Sequence, residues 1–348
     1  MVEPNGVRAH LLTPQENEWR ALLEEVVHDF YHLPGYVAAS APNDGGEPRA
    51  LIVEDGERRL LLPLVVREVG DGASMDACSP YGYPGPVQSG EHDPTFQRAA
   101  LQAGIERLRE LGYVSLFIRT HPLLNPEPPQ GVGTVVQHGV TVSIDLSLSE
   151  EEHWKQTRRN HRQQIRQALN KGYESDVGDD ARYMGEFMAL YRATMQARGA
   201  DAYYFFADDY FEALPAIDGC DVHIAVATLD GQVAAAGMFV VTGDIVQMHL
   251  TGHDSRYMAD QPMKLVFDAV RTWAREQGLR VLHLGGGRGG AEDSLLHFKA
   301  GFSPLRQPYH TVRVVIDEPA YARLVHAREP SVDPSDHSGT FPGYRGES

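Results

Sequence analysis

The sequence predicts an α/β (α+β) chain built from two copies of one hairpin–helix–strand unit, with mixed sheets flanked by helices. Three observations predict it. "PRALIVEDGERRLLLPLVVREV" reads as strand, Asp55-Gly56 turn and strand, and "DVHIAVATLDGQVAAAGMFVV" repeats the pattern around Asp230-Gly231. "FQRAALQAGIERLRELGYVSLFI" reads as an amphipathic helix, a stop at Gly112 and a strand, and "MKLVFDAVRTWAREQGLRVLHL" repeats that pattern around Gly278. Finally, 348 residues with 42% hydrophobic side chains suit two domains of ordinary size, each with its own core.

The two repeats do not share one offset. The first half carries extra residues, among them the loop "SPYGYPGPVQSGEHDP". The strand "VTVSIDL" closes the first copy on this reading, which sets the domains at 1–147 and 148–325. The remainder, 326–348, holds "REPSVDPSDHSGTFPGYRGES", whose Pro, Gly and Ser content predicts a disordered tail.

Composition narrows the function. The net charge of −17 argues against wrapping duplex DNA, where affinity rests on many neutralised phosphates. No apolar run reaches the roughly 18 residues of a membrane span, and the N-terminus lacks the basic and apolar regions of a signal peptide. Cys78 and Cys220 fit no metal or redox spacing, so a reduced, cytoplasmic protein is expected. His249 and His253 have a ligand-like gap but no third partner by spacing, and no metal is expected.

The richest stretch is "HLGGGRGGAEDSLLHFKAGF", residues 283–302. Gly285, Gly287 and Gly290 satisfy G-x-G-x-x-G. A dinucleotide site also needs a full helix after the glycines and an acidic residue about 20 positions on, and this chain has neither there. The segment Gly286-Gly287-Arg288 can instead turn tightly and admit a ligand to its backbone. The short helix after it carries Leu295, Phe298 and Phe302 as an apolar stripe, with Lys299 at the edge. An ammonium there can donate to developing negative charge. The plainer reading is a surface lysine whose stem covers Phe298.

A second stretch, "HWKQTRRNHRQQIRQALNKGYE", reads as one helix. Trp154, His161, Ile165, Ala168 and Leu169 share one side, and Lys155, Arg158, Arg159, Arg162 and Arg166 share the adjacent arc. Arg158, Arg162 and Arg166 recur at i, i+4 and would line up as guanidinium forks for phosphate. A solvated face paired with carboxylates from elsewhere is the alternative. In the first half, "DFYHLPGYV" and "SPYGYPGPV" can wall a pocket with Tyr31, Tyr36, Tyr81 and Tyr83, or simply cover a sheet edge.

With these features together, the chain resembles the Fem family (FemABX) of aminoacyl-tRNA-dependent transferases and the wider group of tandem GNAT-like folds. The resemblance spans roughly residues 25–305: the duplicated unit, "YGYPGPV", "RRNHRQQIRQALNKGYE" and "LLHFKAGF". It implies two GNAT-like domains. It also implies transfer of an amino acid from aminoacyl-tRNA to an acceptor amine with formation of a new amide, and no bound cofactor. The family's Phe-Lys motif maps onto Phe298 and Lys299, with the lysine assisting at the reacting carbonyl. A basic residue of the half-two helix, Arg159 or Arg162, would assist phosphate binding. The chain departs from cell-wall members in having Tyr83 or its neighbour in place of an arginine, and His121-Pro122 in place of Asp-Pro. A small amine, such as an intermediate of a peptide-like natural product (antibiotic biosynthesis), therefore stands beside a cell-wall precursor as acceptor. His121 is a candidate to accept the amine proton. Two alternatives remain. One is an N-acyltransferase using acetyl-CoA, against which the missing Q/R-x-x-G-x-G/A loop argues: "HDSRYMADQPMKLVFDAV" contains no glycine after its start. The other is a tRNA- or nucleotide-binding module without chemistry.

Overall fold

In the computed structural model, residues 6–346 are described except 71, 73, 180, 181 and 338. The chain divides into two compact units. One comprises residues up to His138 together with Pro308 onward, and the other is Gly139–Gln307.

The strands in chain order are β1 (Val7–Leu12), β2 (Glu47–Asp55), β3 (Arg58–Val69), β4 (Ser74–Cys78), β5 (Val87–Gln88), β6 (Tyr113–Arg119) and β7 (Thr134–Asp145). They continue as β8 (Glu174–Asp179), β9 (Asp221–Leu229), β10 (Gln232–Thr242), β11 (Ile245–His253), β12 (Val281–Gly286) and β13 (Arg306–Val315). Both hairpins form where the Asp-Gly turns lie, with Gly56 at φ 63° and Asp230 and Gly231 at φ 50° and 75°. Positive φ at the turn is what makes Asp-Gly suit a right-twisted hairpin.

In the first unit β1, β2, β3 and β4 run antiparallel in that order, and β6 then joins β4 in parallel. The helix Pro94–Glu110 supplies the crossover, capped by the Asp93 carboxylate on Thr95 and Phe96 N–H. A parallel pair needs such a crossover, whereas the antiparallel pairs need only turns. Phe96, Leu101, Ile105 and Leu108 of that helix pack on Leu51, Val53, Leu60, Leu62 and Leu116 to make the core. The second unit repeats the plan: β8, β9, β10 and β11 are antiparallel, β12 is parallel to β11, and the helix Met263–Glu276 connects them. Its Leu265, Val266, Phe267 and Val270 pack on Ala225, Ala227, Phe239 and Leu282.

Each unit takes one strand from the other half of the chain. β7 pairs antiparallel with β12, from Val281 opposite Asp145 to Gly286 opposite Thr141. β13 pairs antiparallel with β6, from Thr311 opposite Arg119 to Val315 opposite Ser115. The division thus differs from a boundary at 147. "VTVSIDL" belongs with the second unit, and residues 308–325 with the first. Strand content was readable, but a ladder partner is not fixed by nearness in the chain.

The tail also differs from its expected disorder. After the helix Glu318–Arg328, Phe341 and Tyr344 pack with Tyr321, Val325 and Val114. The Tyr344 hydroxyl lies 3.0 Å from Asp76 Oδ2, and Arg345 Nε donates to the same oxygen at 2.6 Å. Asp76 is fully buried and also accepts from Arg67 Nε at 2.8 Å, so the tail's guanidinium joins a ready acceptor. Ser338, Glu347 and Ser348 of that expected tail, and the first five residues, lie outside the described residues. No described helix is long and apolar enough to cross a membrane.

Candidate active site

The glycine-rich stretch forms the end of β12, a short turn at Arg288–Gly290 and the helix Ser294–Lys299. The helix starts at Asp293, whose Oδ1 accepts from Leu295 and Leu296 N–H at 3.0 and 2.9 Å. An N-cap carboxylate satisfies amides that would otherwise face an anion, so this helix start is not open to a phosphate. The glycines serve close packing within the loop. A Cβ on Gly287 would sit 2.0 Å from the Ala291 carbonyl oxygen and 2.6 Å from Asp293 Oδ1. Gly286 contributes its carbonyl rather than an open amide surface. Arg288 pairs with Asp293 at 3.1 Å, its side chain otherwise exposed.

Lys299 is buried, 4% exposed, and its Nζ donates to the Gly286 carbonyl at 2.7 Å. Burial pushes its pKa down to about 7, against a smaller opposing pull from the Asp293 charge. This amine is therefore not a surface group with its stem laid over Phe298. The helix turns Leu296 and Lys299 inward, while Leu295 and Phe298 are half-buried. Phe298 packs edge-on to Phe267 and Phe302 at 5.3 and 5.6 Å, and the Lys264 amine lies 5.8 Å from its ring centre.

β11 and β12 pair only from Ile245–Val281 to Gln247–His283, although β11 continues to His253 and β12 to Gly286. A bulge at Met238/Phe239 shifts the β10 register opposite His249. Bulges and separating parallel strands are recurrent features of active-site edges. His249 is buried, its Nε2 2.5 Å from the Tyr210 hydroxyl, and burial lowers its pKa to about 3. Its Nε2 is engaged with Tyr210.

The basic segment is two helices, Glu150–Gln156 and Arg159–Asn170, broken at Thr157, where ψ is 128°. The expected single row of arginines is broken with it. Arg158 is the N-cap; its N–H donates to Gly301 O at 2.7 Å and its Nη1 to His297 Nε2 at 2.6 Å. Arg162 Nη1 donates to the Trp154 carbonyl at 2.8 Å, closing the end of the preceding helix. The Arg166 guanidinium lies 5.1 Å from the centre of the Trp154 ring. Arg159 is exposed at the first position of the second helix. His161 locks this helix to the Lys299 helix: Nε2–H donates to Phe298 O at 2.9 Å, and a Cβ on Gly301 would strike its ring at 2.2 Å. Sequence reading missed Lys264 and Arg306. Lys264 is buried on Gln164, and Arg306 is anchored on the Ser303 and Leu305 carbonyls. The Arg158 charge lowers the proton affinity of both, after burial. Lys264 stands inside an apolar run, the one signal that could have found it.

In the first unit His121 is fully buried. Its Nδ1 accepts from Leu123 and Leu124 N–H at 3.2 Å each, and its Nε2 donates to Asp29 Oδ2 at 3.0 Å. Both ring nitrogens are engaged, so a proton-accepting role for His121 does not fit. The imidazole ties the "FIRTHPLL" turn to Asp29, which also caps Phe30 N–H. His32 completes the cluster through Gly85 O at 2.9 Å, and burial takes its pKa down to about 3. Tyr31 is core, 2% exposed, with Gly82 so close that a Cβ there would lie 2.0 Å from its ring. Tyr36 donates to the Tyr81 carbonyl at 2.8 Å. Tyr83 and Tyr81 are half-buried, Tyr83 edge-on to Tyr31 and Tyr309 at 5.8 and 5.2 Å.

Comparison with known proteins matches residues 155–299 to the acetyltransferase (GNAT) domain family. Among solved structures the chain is similar to FemX, with 14% identity and a TM-score of 0.64 over 90% of this chain and 98% of that one. It is also similar to the C-terminal domain of a putative lysylphosphatidylglycerol synthetase from Agrobacterium fabrum, with 17% identity and a TM-score of 0.55 over 78% and 87% of the two chains. L-PGS from Bacillus licheniformis gives 16% identity and a TM-score of 0.54 over 86% and 92%. No curated protein matches the sequence. The chain thus has the fold of FemX, two GNAT-like units in tandem, and residues 155–299 of its second unit match the GNAT domain model.

Proposed function

We propose that this protein is an aminoacyltransferase that moves an amino acid from aminoacyl-tRNA to an acceptor amine, forming an amide. The observation that carries the reading is the Lys299 amine: buried, held by the Gly286 carbonyl, with a pKa near 7. The acceptor nitrogen attacks the ester carbonyl, a C–N bond forms, and the carbonyl oxygen takes the negative charge. A protonated Lys299 donates to that oxyanion. As the intermediate collapses, the C–O bond to the ribose breaks, a proton passes to the ribose oxygen, and the attacking amine returns one to the site. A group that titrates near neutrality can give and recover that proton in one turnover. The ester is already activated, so positioning and charge stabilisation suffice. Arg159, exposed at a helix start, is the arginine of the basic segment best placed to meet a phosphate.

The GNAT domain match favours a second reading, transfer from an acyl-CoA. The segment between β11 and the helix Met263–Glu276 argues against it. It lacks glycine and carries Asp254 and Asp260, which are engaged with Arg256, Lys171 and Tyr173. Carboxylates there oppose a pyrophosphate.

The test incubates the protein with charged tRNA or acetyl-CoA, a panel of small amines, a peptidoglycan precursor and phosphatidylglycerol vesicles, and weighs the products. An aminoacyl increment that RNase abolishes is expected. An acetyl increment indifferent to RNase would replace this reading with the second. Binding of tRNA without any product would make the protein a non-catalytic RNA-binding module. Lys299→Ala is expected to slow turnover by about 10²–10³, the usual loss of an oxyanion donor.

A further inference from the structure

The two ends of the helix Ser294–Lys299 hold the same short turn. At its start, Asp293 Oδ2 accepts from Arg288 N–H at 3.2 Å and from Arg288 Nε at 3.1 Å, while Oδ1 caps the helix. At its end, Lys299 Nζ holds Gly286 O at 2.7 Å. Gly287, between them, approaches Asp293 so closely that no side chain fits. Turn and helix are thereby clamped as one body, and the clamp fixes where the amine points. We propose that Asp293 is a positioning residue for the transfer reaction: it locks the Gly286–Arg288 turn to the Lys299 helix and supplies the counter-charge for the buried amine.

This rests on Lys299 acting at the reacting carbonyl. Arg288, expected from the sequence to meet substrate, becomes part of the clamp. Other charged groups surround the helix. Arg288 and Arg198 lie beside Asp293, His297 and Arg158 lie on the exposed side, and His161 and Lys264 lie against Phe298. Among the described residues, Asp293 is the charged group that acts on Lys299, and it favours the protonated amine.

Asp293→Asn keeps an oxygen for the cap and removes the charge. Only four lysines are present, so ¹³C-lysine NMR resolves Lys299 once Lys155, Lys171 and Lys264 are assigned by Arg substitution. The midpoint of Lys299 is expected to fall by about half a pH unit or more in Asp293→Asn, and to return in Asp293→Glu, which restores the charge with poorer capping. The alkaline limb of kcat for the charged-tRNA reaction is expected to move down with it, and KM to change little. An unmoved Lys299 midpoint in a folded Asp293→Asn protein would overturn the proposal. A midpoint that falls while the kcat profile stays put would leave Asp293 as the counter-charge and instead remove Lys299 from the chemistry. If Asp293→Asn does not fold, a Lys299 midpoint in Asp293→Glu displaced as far as loss of the charge predicts overturns the proposal equally.

Discussion

Lys299 is a cation placed where a cation is costly. Its ordinary pKa in an unfolded chain is about 10.4, whereas burial takes it to about 7 in the fold. Between those values the unfolded state binds more protons, so this group's contribution to stability rises with pH from about 7 to about 10 and its penalty is fully present below 7. Lys299→Met removes the titration. Urea unfolding at pH 7 and at pH 9.5 is expected to show Lys299→Met more stable than the parent at pH 7, with the gap closing at pH 9.5. A gap that does not narrow would mean that the amine is solvated. Burial of such a group opposes stability, and strongly perturbed groups of this kind cluster at active sites.

At the scale of elements, the basic helix and the Lys299 helix form one joint. Arg158 N–H reaches Gly301 O, His161 reaches Phe298 O, and Gly301 leaves room for the His161 ring. Gly301→Ala is expected to cost about 1–3 kcal/mol by overpacking, measured by denaturant unfolding, and to lower turnover because it displaces the helix that carries Lys299. The arginines separate into two roles. Arg162→Ala loses a bond to the Trp154 carbonyl and is expected to cost about 1 kcal/mol of stability without changing the salt dependence of tRNA binding. Arg159→Ala is expected to leave stability unchanged and to reduce the slope of log K against log salt by about one, read by titration at several salt concentrations.

At the scale of the whole chain, each unit contains a strand that the other half of the sequence supplies. β7 lies before the second repeat and β13 after it, yet β7 pairs with β12 and β13 with β6. A fragment of residues 139–307 is therefore expected to unfold cooperatively, by circular dichroism in urea. A fragment begun at 148 leaves β12 with an unpaired edge opposite Val142 and Ile144, and is expected to aggregate or melt broadly. Equal cooperativity in the two fragments would show that β7 is dispensable to the unit.

The sequence by itself determined the repeated plan. Asp-Gly turns with alternating strands, and helices stopped by Gly112 and Gly278, are local signals, and local backbone chemistry is sufficient to form them. It also drew attention to Lys299, beside Phe298 after a glycine-rich turn, but a surface lysine is the plainer reading of those residues, and the role of Lys299 comes from the family resemblance. Tertiary structure alone decided which strands complete each unit, since hydrogen bonding in a ladder is indifferent to distance along the chain. It decided that His121 ties a turn to Asp29, that Arg158 and Arg162 close helix ends, and that Asp293 bonds the Arg288 turn while capping the Lys299 helix. The tail, polar by composition, was ordered by a buried Asp76 some 270 residues away that accepts Arg345. Composition reports what a segment can bury of itself, and says nothing of an acceptor waiting elsewhere in the fold.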